Sequence, residues 1–278
     1  MKKYILLTFD IEEFDLPFKY GVKINEREMY NISREGTDNL LALLEKYEIK
    51  ATFFITALFA KKYPFLIREL GKKHEIGLHG YAHSDSYEEL SKKETVARLK
   101  KAKDILEKIS NKKIVSFRAQ RLQKIDCSLL RKVGLEVDSS ILPTFIPLSL
   151  TYTLGRIENL FKSRKIFSEK GVTEIPLTVT PIVRLPLLWI TFRNMPMIYA
   201  KTCTKWALIN NNFVNLVFHP WEFIDIRRLK IPFLIKNNTG DKFSKKIENY
   251  IRWAKKRGYE FSTMRDFLSN KKLSGKVS

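Results

Sequence analysis

The chain has 278 residues, of which 44% are hydrophobic and 12% aromatic, a composition that supplies a sizeable core and excludes a largely disordered protein. This length predicts one domain over residues 1–278 rather than two. The formal net charge of +21 favours anionic partners, but the positive charges are dispersed and no nucleic-acid-binding motif accompanies them, so we expect no nucleic acid partner.

Short apolar runs alternate with longer amphipathic stretches along the chain. In chain order, the predicted strands are Tyr4–Phe9, Ala51–Thr56, Glu75–His79, Ile114–Phe117, Leu135–Asp138, Thr173–Leu177, Phe213–Phe218 and Tyr259–Ser262. The predicted helices are Ser33–Tyr47, a helix containing Pro64 that Gly71 ends, Ser91–Ile109, Ser128–Val133, Met197–Asn210, Phe243–Arg257 and Met264–Leu268. The stretch Leu142–Lys165 is the least regular and predicts an inserted loop or a helical flap. Strands that alternate with helices imply a parallel sheet, and about seven such units in one α/β domain favour a barrel.

Reactive side chains follow several of these strands, where barrel enzymes hold their catalytic groups. They are Asp10, Glu12, His79, His83, Arg118, Asp138 and His219. Three of the four histidines of the chain are among them. Taken singly, Arg118, Asp138 or His219 would fit a surface ion pair or a hydrogen-bonded loop residue better than a catalytic group.

The motif HGYAH contains two histidines, His79 and His83, four residues apart. One helical turn would place both imidazoles on the same side, which suits a divalent metal with a carboxylate as third ligand. Asp10 and Glu12 are two residues apart, so in an extended segment they face the same way; one can bind the metal while the other takes a proton from water. The alternatives are a pair of polar loop histidines and a solvated acidic turn.

Five motifs in order resemble those of the polysaccharide deacetylases, carbohydrate esterase family 4 with the NodB homology domain. They are TFDIEE, HGYAH, FRAQR, DSS and LVFHPWEF, which span roughly Tyr4 to Phe223. The resemblance implies a distorted (β/α)7 barrel. The segments EIP and HPWEF, with the apolar-basic stretch Ile182–Asn212, look most like the branch associated with exopolysaccharide and exosortase loci.

The resemblance also implies a role for each reactive residue. Asp10 matches the general base, Arg118 the arginine that orients it, and His219 the general acid. Asp138 matches a motif that supports that histidine, and Trp221 is expected to wall the acyl pocket, with core packing as the alternative. The metal ligands, for which Zn²⁺ is the expected ion, match Glu12, His79 and His83.

Two departures from the family pattern concern the metal and the groove. The usual metal-binding aspartate after the base is Ile11 here, and some branches place the carboxylate at the position of Glu12 instead. The proline expected two residues after Arg118 is Gln120, followed by Arg121, which reshapes the groove floor in a way that admits an anionic group.

These features predict a hydrolase of non-peptide C–N bonds that removes an N-acetyl group from an N-acetylated glycan or glycolipid. The alternatives are a related amidohydrolase on a small non-sugar C–N bond, and a non-catalytic protein that binds carbohydrate or a membrane surface.

The start of the chain predicts a strand rather than a signal peptide, because acidic residues arrive already at Asp10. The cysteines, Cys127 and Cys203, have no nearby Cys or His, which favours a reducing, cytoplasmic compartment. The net charge and the stretch Ile182–Trp206 predict peripheral contact with anionic membranes at the inner face. The alternative is that these apolar residues pack beneath the barrel rim.

Overall fold

Nine strands and ten α-helices make up the regular structure of residues 2–144 and 157–273, which the computed structural model describes. The strands are β1 (Tyr4–Ile11), β2 (Thr52–Ile55), β3 (Glu75–Leu78), β4 (Ser116–Phe117), β5 (Val137–Asp138), β6 (Phe167–Glu169), β7 (Val172–Glu174), β8 (Phe213–Phe218) and β9 (Glu260–Phe261). The helices are α1 (Glu26–Lys46), α2 (Ala57–Lys62), α3 (Pro64–Lys73), α4 (Lys92–Ser110), α5 (Cys127–Lys132), α6 (Trp189–Asn194), α7 (Met197–Asn210), α8 (Phe233–Lys236), α9 (Asp241–Lys256) and α10 (Met264–Leu273).

One sheet contains all nine strands, in the order β6-β7-β5-β4-β3-β2-β1-β8, with β9 paired to β1. Every pairing is parallel except that of β6 with β7. The chain beyond β7 returns to the opposite edge: the Thr178 N–H donates to the Asn215 carbonyl at 3.1 Å, and the Asn215 N–H donates to Thr178 Oγ1 at 2.7 Å. The sheet therefore curls, and the expected distorted (β/α)7 barrel is confirmed.

Strand β1 positions the first acidic residues of the site. All eight of its residues are buried, and it pairs with β2 on one side and β8 on the other. Because the carboxyl ends of parallel strands meet at one edge of a sheet, the segments that follow β1, β3, β4 and β8 converge there.

Helix α1 fixes the segment that follows β8, a 3-10 turn at Pro220–Phe223. A Cβ atom at Gly36 of this helix would lie 2.0 Å from the Pro220 carbonyl oxygen, so only glycine permits the contact. The helix begins before the predicted Ser33, because the Asn25 side chain caps it by accepting from the Glu28 N–H at 2.8 Å.

The predicted end of a helix at Gly71 is wrong. Helix α3 continues through Gly71 to Lys73, and the His74 N–H still donates to the Leu70 carbonyl. Pro64 begins this helix rather than interrupting it, which suits proline because the first-turn N–H has no helical partner. The capping box of Ser91 and Glu94 on α4 is confirmed.

The stretch Ile182–Trp206 is divided between the surface and the interior. Leu187, Leu188 and Phe192 are buried, whereas Ile182 and Val183 are 91% and 60% exposed. Within the described residues, no helix combines the length and the apolar character needed to cross a bilayer. In the irregular stretch Leu142–Lys165, residues 145–156 lie outside the described residues, and a 3-10 turn occupies Ile157–Phe161.

Candidate active site

A cavity of about 130 Å³ opens at the carboxyl edge of the sheet. Its walls contain six of the eight predicted site residues together with six neighbours: Asp10, Glu12, His79, His83, His219 and Trp221, with Leu16, Arg121, Leu122, Leu188, Trp189 and Val217. The sequence-predicted cluster is therefore present as one site.

The predicted metal ligands converge on one point. The Nε2 atoms of His79 and His83 each lie 3.1 Å from Glu12 Oε2. Among the described residues, these three form a group whose ligand atoms all lie within 4.8 Å of one another. One carboxylate and two imidazoles are a donor set that suits Zn²⁺ and leaves a coordination position for water.

The second nitrogen of each imidazole has an acceptor that fixes the tautomer. His79 Nδ1 lies 2.8 Å from the Arg118 carbonyl oxygen, and His83 Nδ1 lies 2.6 Å from Asp15 Oδ1. With Nδ1 donating in both rings, both Nε2 lone pairs point towards Glu12, as a metal requires. Burial lowers the pKa of His83, but Glu12 and then Asp15 outweigh burial and raise it to about 9. A metal cation bound between these residues would therefore have to displace a proton from His83.

The histidines of HGYAH lie on an irregular segment that follows β3, so the expected helical turn is wrong. Gly80 has φ +80°, and a Cβ there would lie 1.9 Å from Gln120 Nε2. The backbone folds back at this glycine, which brings His83 to the same side as His79. The neighbouring carboxylates form no solvated acidic turn either: Glu13 is buried and accepts from the His83 N–H at 3.0 Å, and burial raises its pKa.

Asp10 lies beside the metal ligands, bound to Arg118. The Arg118 side chain is fully buried; its Nη1 donates to Asp10 Oδ1 and to Thr8 Oγ1, both at 2.8 Å, and its Nε donates to the Ser139 carbonyl. Burial alone would raise the pKa of Asp10, but the charge of Arg118, aided by nearby histidines, lowers it. Asp10 is therefore ionised and held in place, as a proton acceptor requires.

His219 is supported by Glu222, a residue that the sequence analysis did not assign. Glu222 Oε1 accepts from the His219 N–H at 2.9 Å and lies 3.3 Å from His219 Nδ1. Its other oxygen pairs with Arg193, and both side chains of this pair are fully buried. Burial lowers the pKa of His219, but the hydrogen bond with Glu222 and the nearby carboxylates raise it overall.

Asp138 does not occupy the supporting position expected for it. Within residues 2–144 and 157–273, the side-chain hydrogen bond of His219 is made with Glu222, whereas Asp138 accepts from Ser140 Oγ at 2.5 Å. Asp138 lines a separate cavity with Glu174, and burial raises the pKa of both carboxyl groups. The strand end was predicted correctly, but the side-chain partner of Asp138 is Ser140, two residues later in the chain.

The family model described as Polysaccharide deacetylase matches residues 1–135. The peptidoglycan-N-acetylmuramic acid deacetylase PdaC of Bacillus subtilis is 39% identical over 75 residues, which are 27% of this chain and 16% of that protein. These two matches support a relation of this chain to the polysaccharide deacetylase family. The matched range contains Asp10, Glu12, His79, His83 and Arg118, whereas His219 and Glu222 lie beyond it.

Solved structures share the fold over nearly the whole chain. A candidate polysaccharide deacetylase from Mycobacterium smegmatis has a TM-score of 0.65 at 16% identity, covering 100% of this chain and 93% of that one. Puue allantoinase has a TM-score of 0.68 at 15% identity, covering 99% and 92%. At these identities the likeness concerns the fold alone, and it agrees with the barrel expected from the deacetylase motifs.

An aromatic wall lines the same cavity as Glu12, His79 and His83. The Trp221 ring stacks on His219 with centroids 5.2 Å apart, and Trp189 meets both rings edge-on at 5.3 and 5.5 Å. Trp221 also packs on Phe14, so it both lines the cavity and belongs to the core. Trp189, which the sequence analysis assigned to membrane contact, forms part of this wall.

If His219 acts as the general acid that the sequence motifs predict, Glu222→Gln should lower the rate on the order of 10- to 100-fold, because His219 loses an orienting and charge-balancing partner. The alkaline limb of the pH–rate profile should move to lower pH, since Glu222 raises the pKa of His219. Steady-state rates across pH measure both effects. Asp138→Asn is the matched carboxylate-to-amide control and should leave the alkaline limb in place; a shift of this limb in the control alone would return the supporting role to Asp138.

Proposed function

We propose that the protein is a metal-dependent hydrolase that removes an N-acetyl group from an N-acetylated sugar in a polysaccharide or glycan precursor. The observation that carries this proposal is the convergence of Glu12, His79 and His83 in one cavity with Asp10 and His219. The supported family adds the reaction class, the hydrolysis of a non-peptide C–N bond.

The residues that would hold the cation are Glu12, His79 and His83, with Zn²⁺ as the proposed ion. A divalent cation bound there would act as a Lewis acid towards water and towards the amide carbonyl. The fit rests on the donor set and on the two fixed tautomers described above, which direct both Nε2 lone pairs to one point.

The protein's own residues divide the proton transfers. Asp10 accepts a proton from the attacking water, and Arg118 keeps that carboxylate ionised and oriented. His219 donates a proton to the leaving nitrogen as the C–N bond breaks. One amide and one water are consumed, and the products are acetate and an amino sugar.

The pKa shifts of these two groups predict a bell-shaped pH dependence. The pKa of Asp10 is lowered, so the base is ionised at pH values well below neutrality. The pKa of His219 is raised, so the acid keeps its proton above the usual range of histidine. The active form therefore spans the interval between the two.

The proposal is tested by measuring acetate release from N-acetylglucosamine oligomers. The measurement is made after chelation of metal and again after Zn²⁺ is added. We expect release that depends on added metal. Hydrolysis of cyclic ureides in place of the sugars would instead favour the small-molecule amidohydrolase, whose fold Puue allantoinase shares. Stoichiometric metal without hydrolysis of either class would favour a non-catalytic binding protein.

Three expectations stay predictions. They are that the protein belongs to the exopolysaccharide-associated branch, that residues 1–278 form a single domain, and that the protein is cytoplasmic or peripheral on the membrane. Membrane contact through Ile182–Trp206 would have to use its exposed apolar side chains, such as Ile182, Val183 and Ile198, because others, such as Phe192, are buried. The buried part of this stretch serves the active site, since Arg193 pairs with Glu222.

A further inference from the structure

We propose that Asp138 and Glu174 bind a hard divalent cation, Ca²⁺ or Mg²⁺, in a second cavity that is separate from the active-site cavity. Neither residue has a step in the proposed hydrolysis, so the inference is independent of the proposed function. The cation would join strands β5 and β7 at their carboxyl ends.

The sheet places the two carboxylates side by side. Asp138 and Glu174 are the last residues of two parallel strands, and they are direct partners in the register of β5 with β7. Partner residues on neighbouring strands point to the same face of a sheet. Both residues are buried, with exposed fractions of 5% and 2%, and both line a cavity of about 90 Å³.

One carboxylate oxygen of this pair lacks a donor. Glu174 Oε1 accepts from the Ile141 N–H at 3.0 Å, and Asp138 Oδ1 accepts from Ser140 Oγ at 2.5 Å. Within residues 2–144 and 157–273, Glu174 Oε2 is buried and has no hydrogen-bond partner. A buried carboxylate oxygen without a partner is costly, so this atom indicates that a positively charged ligand completes the pair.

The charges around the pair favour a divalent ligand. Arg118 acts on both carboxyl groups, but its guanidinium forms its ion pair with Asp10. Among the described residues that line the cavity, four are carboxylates and two are lysines, an excess of two negative charges in a chain whose net charge is +21. A divalent cation would balance this excess.

Two buried carboxylates in contact need a counter-charge. Burial raises the pKa of Asp138 to about 6, and burial and then repulsion by Asp138 raise the pKa of Glu174. Either a proton shared between the two groups or a metal cation supplies the missing charge. The cavity beside the pair favours the cation, because a shared proton would need no space.

The ligand atoms define the class of cation. Carboxylate oxygens suit Ca²⁺ and Mg²⁺, and Mg²⁺ is commonly held by one or two carboxylates with water in its remaining positions. A cavity of about 90 Å³ has room for such waters, which occupy roughly 30 Å³ each. Cys127 also lines the cavity, but burial raises the pKa of its thiol to about 12, so it offers no thiolate to a softer metal.

A cation here would stabilise the support of the arginine that orients the base. Ser139, which follows Asp138, accepts from Arg118 Nε through its carbonyl and from Arg118 Nη2 through its hydroxyl, both at 2.9 Å. Ser139 Oγ donates to the Ile175 carbonyl at 2.9 Å, directly after Glu174. A cation that joins β5 to β7 would therefore raise the free energy of unfolding of this part of the barrel.

Calorimetric titration with CaCl₂ and, separately, with MgCl₂ tests the proposal on protein that first receives one equivalent of Zn²⁺ for the histidine cluster. We expect one equivalent of at least one cation to bind, with a Kd on the order of 0.1 to 1 mM for a site with two carboxylates. That cation at about 10 mM should raise Tm by roughly 3 to 10 °C. Asp138→Asn and Glu174→Gln should each raise the Kd about 10-fold or more, whereas Asp104→Asn, at an exposed position of α4, should leave it unchanged.

His79→Ala separates this site from the histidine cluster, because it should keep the Ca²⁺ or Mg²⁺ binding that the Asp138 and Glu174 variants lose. Either cation supports the inference, and the lower Kd identifies the ligand. Absence of binding of both cations to the zinc-loaded wild type up to about 10 mM would overturn it and leave a shared proton as the counter-charge. Equal Kd values in the wild type and both carboxylate variants, or binding that His79→Ala alone removes, would overturn it as well.

Discussion

Replacing His79 or His83 with alanine is expected to abolish stoichiometric metal binding and to lower acetate release on the order of 1,000-fold or more. A metal that acts as a Lewis acid contributes several kcal/mol, and each 1.4 kcal/mol corresponds to about tenfold in rate. Both Nε2 atoms lie 3.1 Å from Glu12 Oε2, so either substitution leaves two ligands for the cation. Metal analysis of the purified variants, with rates at saturating Zn²⁺, measures both effects.

The fourth histidine provides the matched control. His74 packs edge-on against Phe53 at 5.1 Å and accepts from the Ala51 N–H, in a part of the chain remote from the cluster. His74→Ala should keep the metal even where it reduces stability. Unchanged metal content in both His79→Ala and His83→Ala would refute the ligand assignment.

Periodicity predicted the elements that are locally determined. Strand β8 and helix α7 have the predicted bounds, and the cap at Ser91 is also correct. Two short elements were not assigned. Strand β6 has three residues, too few for a recognisable alternation, and pairs with β7 across a tight turn at Gly171, whereas α6 holds Arg193 against the distant Glu222. A buried arginine that pairs with a glutamate 29 residues later has no periodic pattern in the sequence.

In the candidate site, too, the sequence predicted some features and missed others. Strand-end position was sufficient to collect Asp10, Glu12, His79, His83 and His219, because parallel strands bring their carboxyl ends together. Strand-end position could not assign side-chain partners: Asp138, expected to support His219, accepts from Ser140, and Glu222 lies beside His219 instead. Glu222 had a local indication, since it follows His219 by three residues, a spacing at which side chain and backbone can meet in a turn.

Asp10→Asn is expected to keep the metal and to lower the rate on the order of 100-fold or more, which is what a general base contributes. Asparagine retains an oxygen that can accept from Arg118 Nη1, now at 2.8 Å from Asp10 Oδ1, so the buried guanidinium keeps its partner. The amide cannot take a proton from water. The variant should also lose the acidic limb of the pH–rate profile, because the titration of Asp10 sets it.

The same experiment decides how Asp10, in β1, and Glu12, directly after it, divide their roles. Glu12 faces both imidazoles and belongs to the three-residue ligand group, whereas Asp10 faces Arg118. Glu12→Gln should therefore reduce the metal content that Asp10→Asn preserves, and Asp104→Asn, at an exposed position of α4, should change neither metal nor rate. Loss of metal in Asp10→Asn with full retention in Glu12→Gln would exchange the roles, making Asp10 the ligand and Glu12 the base.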